Sequence, residues 1–302
     1  MVTPPPALHD WIAELTGARR PSVGSPLPGA STATIWPVTA GGRQLVAKVY
    51  DLGIEGVGPD DVRRDAAAMR AAEELGLVAP RLLGADAAGE RLGVPAVVMT
   101  RLEGEPRAHG RPDPLGWVDG LADVLIAVGR AGTPTEPLHS RRPWFALPVE
   151  PPSWTRDAAP WDEMNAALSE PLPAGPVGFI HRDVHQLNVV WADGEPVGLV
   201  DWVNGCLGPI ESDIACLRLN IALAEDDHDA FVLADRLLDR CLEAGLPWHP
   251  LWDLEWIAGS AAATTVFLAG VDLGARMSLD GVRRVFDDAV PRALDAAARW
   301  NR

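Results

Sequence analysis

The stretch HRDVHQLN, residues 181–188, lies between two short apolar runs that are typical of strands. It is therefore predicted to form a tight polar loop at a strand end. Asp183 and Asn188 stand five residues apart in this loop, and Asp201 follows thirteen residues later, at the end of another apolar run. Core packing does not require polar groups at this spacing, so the stretch indicates a chemical role.

The spacing matches what phosphoryl transfer from a nucleotide requires. One carboxylate accepts the proton of the attacking hydroxyl, while an amide oxygen and a second carboxylate hold a divalent ion against the phosphates. Mg²⁺ prefers oxygen ligands and retains several waters, so one Asn and one Asp are enough. HRDxxxxN is the pattern of kinase catalytic loops, with Asp201 in the metal-binding position. A single Asp at a strand end is more often a turn former or a helix cap, whereas the combination is far more specific.

The composition singles out Lys48, because 25 of the 26 basic residues are arginines and this is the one lysine. It lies in a β-rich run, RQLVAKVY, over residues 43–50. A compact ammonium is not interchangeable with a guanidinium, so the residue marks a place where lysine itself is needed. The alternative is that one lysine remains by coincidence in an arginine-biased chain.

The net charge limits the classes of binding partner that the chain is expected to have. With 42 acidic and 26 basic residues the net charge is −16, which argues against nucleic acid or an anionic membrane, because both need a positive surface. A cationic small molecule is compatible with it. The three cysteines form no CxxC pair, and the first residues lack a basic start and an apolar run, so a cytoplasmic protein is expected. The apolar run 257–271 is too short to span a bilayer and is expected to be a buried helix.

The length of the chain, and the change along it from strand-like to helix-like patterns, predict two lobes. Residues 1–101 are predicted to be mostly strand, with a hairpin over 31–50 and one helix from about 60 to 75. Residues 102–302 are predicted to be mainly helical, with an irregular segment rich in proline and tryptophan over 133–176. The predicted elements of this lobe are a helix over 117–129, strands over 177–180, 188–191 and 197–201, and helices near 213–224, 228–244, 250–271 and 279–299. The expected class is α+β, with a small β-rich lobe before a larger helical one.

Two stretches, FIHRDVHQLNVVW (179–191) and GLVDWVNGCLGPIESDIACLR (198–218), resemble the catalytic and metal-binding segments of the aminoglycoside phosphotransferase family. The fold of that family is similar to that of the protein kinases, and the resemblance extends over nearly the whole chain. It implies a two-lobed protein-kinase-like fold that uses ATP and Mg²⁺. It assigns Asp183 as the catalytic base, and Asn188 and Asp201 as the ligands of Mg²⁺.

The resemblance implies that Lys48 contacts the α- and β-phosphates of the nucleotide. The helix partner of this lysine is usually a glutamate in the family, but the matching stretch RRDAAAMR (63–70) has Asp65, which is one methylene shorter. Either the helix lies closer to the strand, or the pair forms only when nucleotide binds. With a shifted register, Glu73 would take the role instead.

Two further segments are implied to bind the nucleotide. Gly29 and Ser31, in the loop before the hairpin, would cover the phosphates, although one glycine makes a weak motif by itself. Met99, Thr100 and Arg101 would form the hinge between the lobes, where the backbone binds the adenine. The alternative for this second segment is an edge strand entering a turn.

Two residues beside the catalytic loop are expected to support it without touching substrate. His181 would fix the loop through hydrogen bonds of its ring, and Asp213 would cap a helix and brace the loop. Gln186 and Leu187 depart from the Pro-Gly pair that is usual in the family here, while the spacing from Asp to Asn is kept.

The predicted function is ATP-dependent transfer of the γ-phosphate to a hydroxyl of a small molecule, such as an aminoglycoside-type antibiotic or a related amino or hydroxy compound. The alternatives are a primary-metabolite kinase for choline, a sugar or an amino alcohol, and a catalytically silent nucleotide-binding pseudokinase. A polycationic acceptor would need inward-pointing carboxylates, and the helical lobe offers Glu211, Asp226, Asp227, Asp253, Glu255 and Asp272. The last residues, RWNR, are not acidic, which disfavours a polyamine antibiotic.

Overall fold

The computed structural model describes residues 3–28, 32–173, 175–224, 230–267 and 279–300, and the chain forms two units. The first unit holds the chain up to Gly104 and two later segments, Pro134–Leu138 and Val197–Gly205. The second unit holds Glu105–Thr133, His139–Pro196 and the chain from Cys206 onward. A β-rich unit and a larger, mainly helical unit confirm the predicted α+β class.

The predicted single boundary, with lobes 1–101 and 102–302, differs from this division because the chain returns twice to the first unit. The backbone N–H groups of Thr135 and Glu136 donate to the carboxylate of Glu74, at 2.7 and 3.2 Å. The N–H of Leu199 donates to the carbonyl of Val78 at 3.0 Å. The two returning segments are too short to differ in composition from their surroundings, so a domain boundary predicted from the sequence does not include them.

Alternating apolar residues form a five-stranded antiparallel sheet in the first unit. Its strands are β1 (Ser22–Val23), β2 (Ala33–Ala40), β3 (Arg43–Tyr50), β4 (Leu82–Asp86) and β5 (Ala96–Thr100), in the order β1-β2-β3-β5-β4. Gly41 and Gly42 join β2 to β3 with φ of 59° and 79°, because a two-residue turn of this kind needs positive φ at both positions. Trp36 and Leu45 pack with helix α1 (Leu8–Thr16) in one core. The predicted hairpin is confirmed.

Helix α2 (Pro59–Glu74) is the helix predicted for the first unit. Pro59 lies in its first turn, where a missing N–H is tolerated, and the carboxylate of Asp61 accepts from the N–H of Gly58 at 2.8 Å. Its buried face is made of alanines, Val62 and Met69, and it also includes Asp65. A carboxylate in such a place needs partners, because an unpaired buried charge is costly.

The second unit is built from six helices among its described residues. They are α3 (Pro114–Ala131), α4 (Ala159–Leu168), α5 (Glu211–Ala224), α6 (Ala230–Glu243), α7 (Leu251–Phe267) and α8 (Leu279–Trp300). The prediction of an irregular segment over 133–176 is wrong across α4. Trp161, Met164 and Leu168, spaced at i, i+3 and i+7, pack into the same core as Phe286, and Pro160 lies in the first turn, where helices accept proline. The predicted end of the helix near 250–271 lies outside the described residues.

Short strands frame the predicted catalytic loop, residues 181–188, in the second unit. They are β6 (Glu105–Pro106), β7 (Val177–Ile180), β8 (Val189–Ala192) and β10 (Cys206–Pro209), with β9 (Glu195–Leu199) leading the chain back to the first unit. β7 pairs with β10 and β8 pairs with β6, both antiparallel. The stretch 181–188 is therefore held between β7 and β8, as the sequence predicts. β10 was not predicted, because its glycine and proline are poor strand formers and its pairing partner lies far away in sequence.

Across the described parts of the chain, none of the helices combines the length and the apolar character needed to cross a membrane.

Candidate active site

In the first unit, Lys48 lies in the middle of β3 and is almost completely buried, with 6% of its side chain exposed. Its ammonium nitrogen donates to Oδ2 of Asp65 at 3.1 Å and to Oδ1 of Asp201 at 2.6 Å. Burial alone would lower the pKa of Lys48, but attraction to the two carboxylates outweighs it and raises that pKa well above its usual value. Lys48 is therefore held as a cation between two acids.

Asp65 is the partner from helix α2, and its side chain is only 2% exposed. The pair with Lys48 is formed in the structure. Glu73, the alternative partner under a shifted register, is bonded to Arg81 at 2.9 Å.

Tyr50 is a member of this cluster that the sequence reasoning missed. Its hydroxyl donates to Oδ2 of Asp65 at 2.7 Å, and its ring centroid lies 5.0 Å from the ammonium nitrogen of Lys48. Burial and the neighbouring charge of Asp65 raise the pKa of Tyr50, so it remains a proton donor. The available signal was its position, two residues after Lys48, since alternate residues of a strand share a face.

Asp201 lies two residues beyond β9, immediately before a 3₁₀ turn at Trp202–Asn204. Its backbone is left-handed, with φ of 64° and ψ of 62°. Such a conformation is uncommon for residues other than glycine, although aspartate adopts it more readily than most. Its carboxylate is 43% exposed, which is far more than that of Asp65. Of the two acids on Lys48, Asp201 is thus the one accessible to a ligand.

In the second unit, a single buried carboxylate holds the start of the catalytic loop. The backbone N–H groups of His181 and Arg182 donate to the two oxygens of Asp213, at 2.8 and 2.7 Å. Burial raises the pKa of Asp213 to about 7, although both of these hydrogen bonds act to lower it. Asp213 lies in the first turn of α5 and braces the loop. Its contact with the left-handed Arg182, φ of 65°, fixes the backbone immediately before Asp183.

The rest of the loop is ordered by hydrogen bonds among its own residues. The amide nitrogen of Asn188 donates to the carbonyl of Asp183 at 2.9 Å, so the amide oxygen is the atom left for a cation. The N–H of Asp183 donates to Nδ1 of His181 at 3.3 Å, and the N–H of Leu187 donates to Nδ1 of His185 at 3.2 Å. Both histidine rings accept hydrogen bonds from the loop backbone.

An aromatic cluster that was not predicted lies against Arg182. The guanidinium lies 3.8 Å from the ring centroid of Trp144, which is 48% exposed. Trp144 meets Trp256 edge-on at 6.4 Å, and Nε1 of Trp256 donates to Oγ of Ser212 at 3.1 Å. The segment rich in proline and tryptophan is thus attached to the catalytic loop.

The remaining nucleotide-binding candidates are positioned by the sheet of the first unit. Met99 is buried in β5, and Thr100 ends this strand. The hydroxyl of Thr100 accepts from the N–H of Arg81 at 2.8 Å, and the N–H of Arg101 donates to the carbonyl of Gln44 at 3.1 Å. Gly29 and Ser31 lie outside the described residues.

The carboxylates proposed to bind a cationic acceptor have partners within the second unit. Glu211 accepts from the N–H of Gly175 at 2.6 Å, Asp253 lies 3.2 Å from Arg218, and Glu255 lies 2.5 Å from Arg141. Asp226, Asp227 and Asp272 lie outside the described residues.

The structure thus brings the site residues together in two groups. Lys48, Asp65, Asp201 and Tyr50 form one in the first unit, and Asp183, Asn188, His181 and Asp213 form the other in the second. An exposed carboxylate and an oriented amide oxygen are the oxygen donors that Mg²⁺ prefers, so the residues fit this ion.

Comparison with known proteins finds a family model and several similar chains. The family model for the phosphotransferase enzyme family matches residues 23–252. The N-acetylmuramate/N-acetylglucosamine kinase of Neisseria meningitidis serogroup B is 25% identical over 144 residues, which are 47% of this chain and 42% of the relative. The chain therefore matches less than half the length of that kinase.

Two solved structures are similar over most of their length. A thermostable mutant of aminoglycoside phosphotransferase APH(4)-Ia, in a ternary complex with ADP and hygromycin B, has a TM-score of 0.62 at 16% identity, covering 95% of this chain and 98% of its own. The amicoumacin kinase hAmiN, in complex with AMP-PNP, Ca²⁺ and Ami, has a TM-score of 0.58 at 14% identity, covering 89% of this chain and 88% of its own. At these identities the likeness shows a shared fold.

Proposed function

We propose, because the chain belongs to the phosphotransferase enzyme family, that it is a small-molecule kinase that phosphorylates a hydroxyl group, with ATP as its phosphate donor and Mg²⁺ as its metal. The observation that carries this proposal is the buried ammonium of Lys48 between Asp65 and the exposed Asp201. A fixed cation beside an accessible carboxylate suits a nucleotide phosphate and its metal ion. The ADP, AMP-PNP and Ca²⁺ bound by similar structures agree with it.

In the proposed mechanism, each of this chain's residues has one task. Asp183 accepts the proton of the acceptor hydroxyl and orients its oxygen toward the γ-phosphate. Lys48 would neutralise phosphate charge, while Asn188 and Asp201 would hold the divalent ion. When bound, that ion spreads the negative charge that develops on the phosphate oxygens. Catalysis is then mostly positioning and charge neutralisation.

We propose an acceptor that is a hydroxylated small molecule, either an aminoglycoside-type antibiotic or a related amino or hydroxy compound. A sugar-type metabolite is the second candidate, and two observations favour it. One relative is an amino-sugar kinase. In addition, Asp253 and Glu255 are paired with arginines within the second unit, which reduces the charge they offer to a polycation.

A cytoplasmic location is part of the same proposal. Cys206, Cys216 and Cys241 are free, buried thiols, and burial raises the pKa of each of them. Buried thiols of this kind suit a reducing compartment.

The test is ADP release from ATP and Mg²⁺ with a panel of acceptors: hygromycin B, other aminoglycosides, N-acetylglucosamine, N-acetylmuramate, choline and simple sugars. We expect acceptor-dependent ADP release with at least one class, and we expect the matched variant Asp183→Ala to lose it. Thermal stabilisation by ATP and Mg²⁺ without turnover on any acceptor would instead favour the pseudokinase alternative.

A further inference from the structure

The one tyrosine and the one lysine of the chain meet at the same oxygen atom. Tyr50 and Lys48 are two residues apart on β3 and so share a face of the sheet. The tyrosine hydroxyl and the lysine ammonium donate to Oδ2 of Asp65, at 2.7 and 3.1 Å. The shorter bond is the one from Tyr50.

The length of the Asp65 side chain explains why a second donor is useful. Aspartate has one methylene less than glutamate, so its carboxylate reaches less far from helix α2 and has one rotatable bond fewer with which to adjust its position. The tyrosine hydroxyl fixes the position of Oδ2 from the strand side, and the carboxylate then holds the ammonium. The ring of Tyr50 lies 5.0 Å from that ammonium, so one residue contacts both members of the pair.

The second acid on Lys48 makes the role of Tyr50 more specific. The bond from Lys48 to Asp201, at 2.6 Å, is shorter than the bond to Asp65. In the proposed function Asp201 would hold the divalent ion, and Asp65 would then be the acid that keeps the ammonium in place. A carboxylate held by Tyr50 can do this, because hydrogen bonds to a charged group are among the strongest in proteins.

We propose that Tyr50 is a positioning residue for Lys48. Through its bond to Asp65 it fixes the ammonium where the nucleotide phosphates bind. The inference rests on the proposed function, since it assigns the ammonium to a nucleotide.

A cycle of variants tests the proposal. Tyr50→Phe keeps the ring and removes the hydroxyl, and we expect kcat/KM for ATP to fall about tenfold, the size expected for a lost hydrogen bond to a charged group. The KM of the acceptor should not change. In the Asp65→Glu background the longer side chain reaches Lys48 without help, so the same change should cost twofold or less. Equal losses in both backgrounds, or no loss in either, would overturn the proposal.

The control removes a hydroxyl hydrogen bond elsewhere in the same sheet. Thr39→Val deletes the exposed bond to Gln44, 3.3 Å long, and should leave kcat/KM unchanged. A fall like that of Tyr50→Phe would attribute the effect to general weakening of the sheet and would contradict the proposal.

A measurement without nucleotide separates this inference from the proposed function. Because Lys48 is the one lysine, acylation by a water-soluble active ester at residue 48 can be followed by mass spectrometry. We expect Tyr50→Phe to react several times faster than the wild type, and Asp65→Glu to restore the slow rate. Unchanged rates overturn the positioning role even if the enzyme is active. Slow wild-type and fast variant rates support it even if no acceptor is found, whereas absence of protection by ATP and Mg²⁺ would count against the proposed nucleotide site.

Discussion

The two groups of site residues are held in different ways. Around Lys48, side chains hold side chains: one ammonium lies between the carboxylates of Asp65 and Asp201. Around Asp183, a side chain holds the backbone: both oxygens of Asp213 accept N–H groups of the loop.

Because of this difference, the contacts of the two groups rearrange with different ease. An ion pair between side chains can exchange partners with a small motion, which suits a place where charged phosphates and a metal ion arrive and leave. A carboxylate that holds two backbone N–H groups releases them only if the loop itself unfolds. In the proposed function, the group around Lys48 would therefore depend on charge, and the group around Asp183 would depend on the shape of the loop. The following changes test that division.

The largest effect is expected from Asp183→Ala. Loss of the proposed base should lower kcat by about 10²–10⁴-fold, while the Kd for nucleotide and the melting temperature stay near the wild-type values, because the backbone bonds of the loop do not need this carboxylate. Single-turnover kinetics and calorimetric titration of nucleotide give the two numbers. Phosphotransfer close to the wild-type rate would refute the role of Asp183.

Lys48→Met should come next and should act on stability as well as on activity. Removal of the cation leaves the buried charge of Asp65 without a counter-charge, with only the hydroxyl of Tyr50 donating to it, and the free energy of unfolding should fall by about 3–5 kcal/mol. Adding Asp65→Asn should recover part of this loss in a urea titration without recovering activity. If stability stays unchanged in the single variant, charge pairing does not hold this group together.

The pH dependence of stability tests the loop side. Because the pKa of Asp213 is raised to about 7 from an ordinary value of 3.8, the folded state binds its proton more tightly than the unfolded state does. Its contribution to stability is therefore complete below about pH 4 and is lost as pH rises through 7. Asp213→Asn has no titrating group at this position. Between pH 4 and pH 8, the unfolding free energy of the wild type should therefore fall by roughly 2–4 kcal/mol more than that of the variant. Parallel pH profiles would show that burial of this charge is not costly.

The smallest effect is expected at an exposed ion pair. Arg70 lies 2.7 Å from Glu136 on the surface of the first unit, where Arg70 is half exposed. Arg70→Ala should change the unfolding free energy by less than about 1 kcal/mol, with no change in kcat, since water and salt screen such pairs. A loss as large as that of Lys48→Met would remove the contrast between buried and exposed charge pairs.

The parts of the molecule that the sequence predicted are those whose signals are local. The hairpin of β2 and β3 follows from alternation and two turn glycines, and the catalytic loop follows from the spacing of polar residues between strands. Helix α4 was missed because prolines dominate its surroundings, although proline in a first turn is compatible with a helix.

The parts that were missed depend on contacts between distant segments. Lys48 and Asp201 are 153 residues apart, so their bond has no signature in either segment. The left-handed backbone of Asp201 has none either. Tyr50 was available as the one tyrosine beside the one lysine, but its role needs the position of α2, which is set by packing. The stacking of Arg182 on Trp144 likewise requires the path of a proline-rich segment.

The return of Val197–Gly205 to the first unit has a consequence for how the chain is made. The ribosome releases residues up to Gly104 long before it reaches Asp201. At about 5–20 residues per second, several seconds pass in which the nascent lysine has only one of its two acids. The first unit therefore cannot complete its fold until translation has passed Gly205.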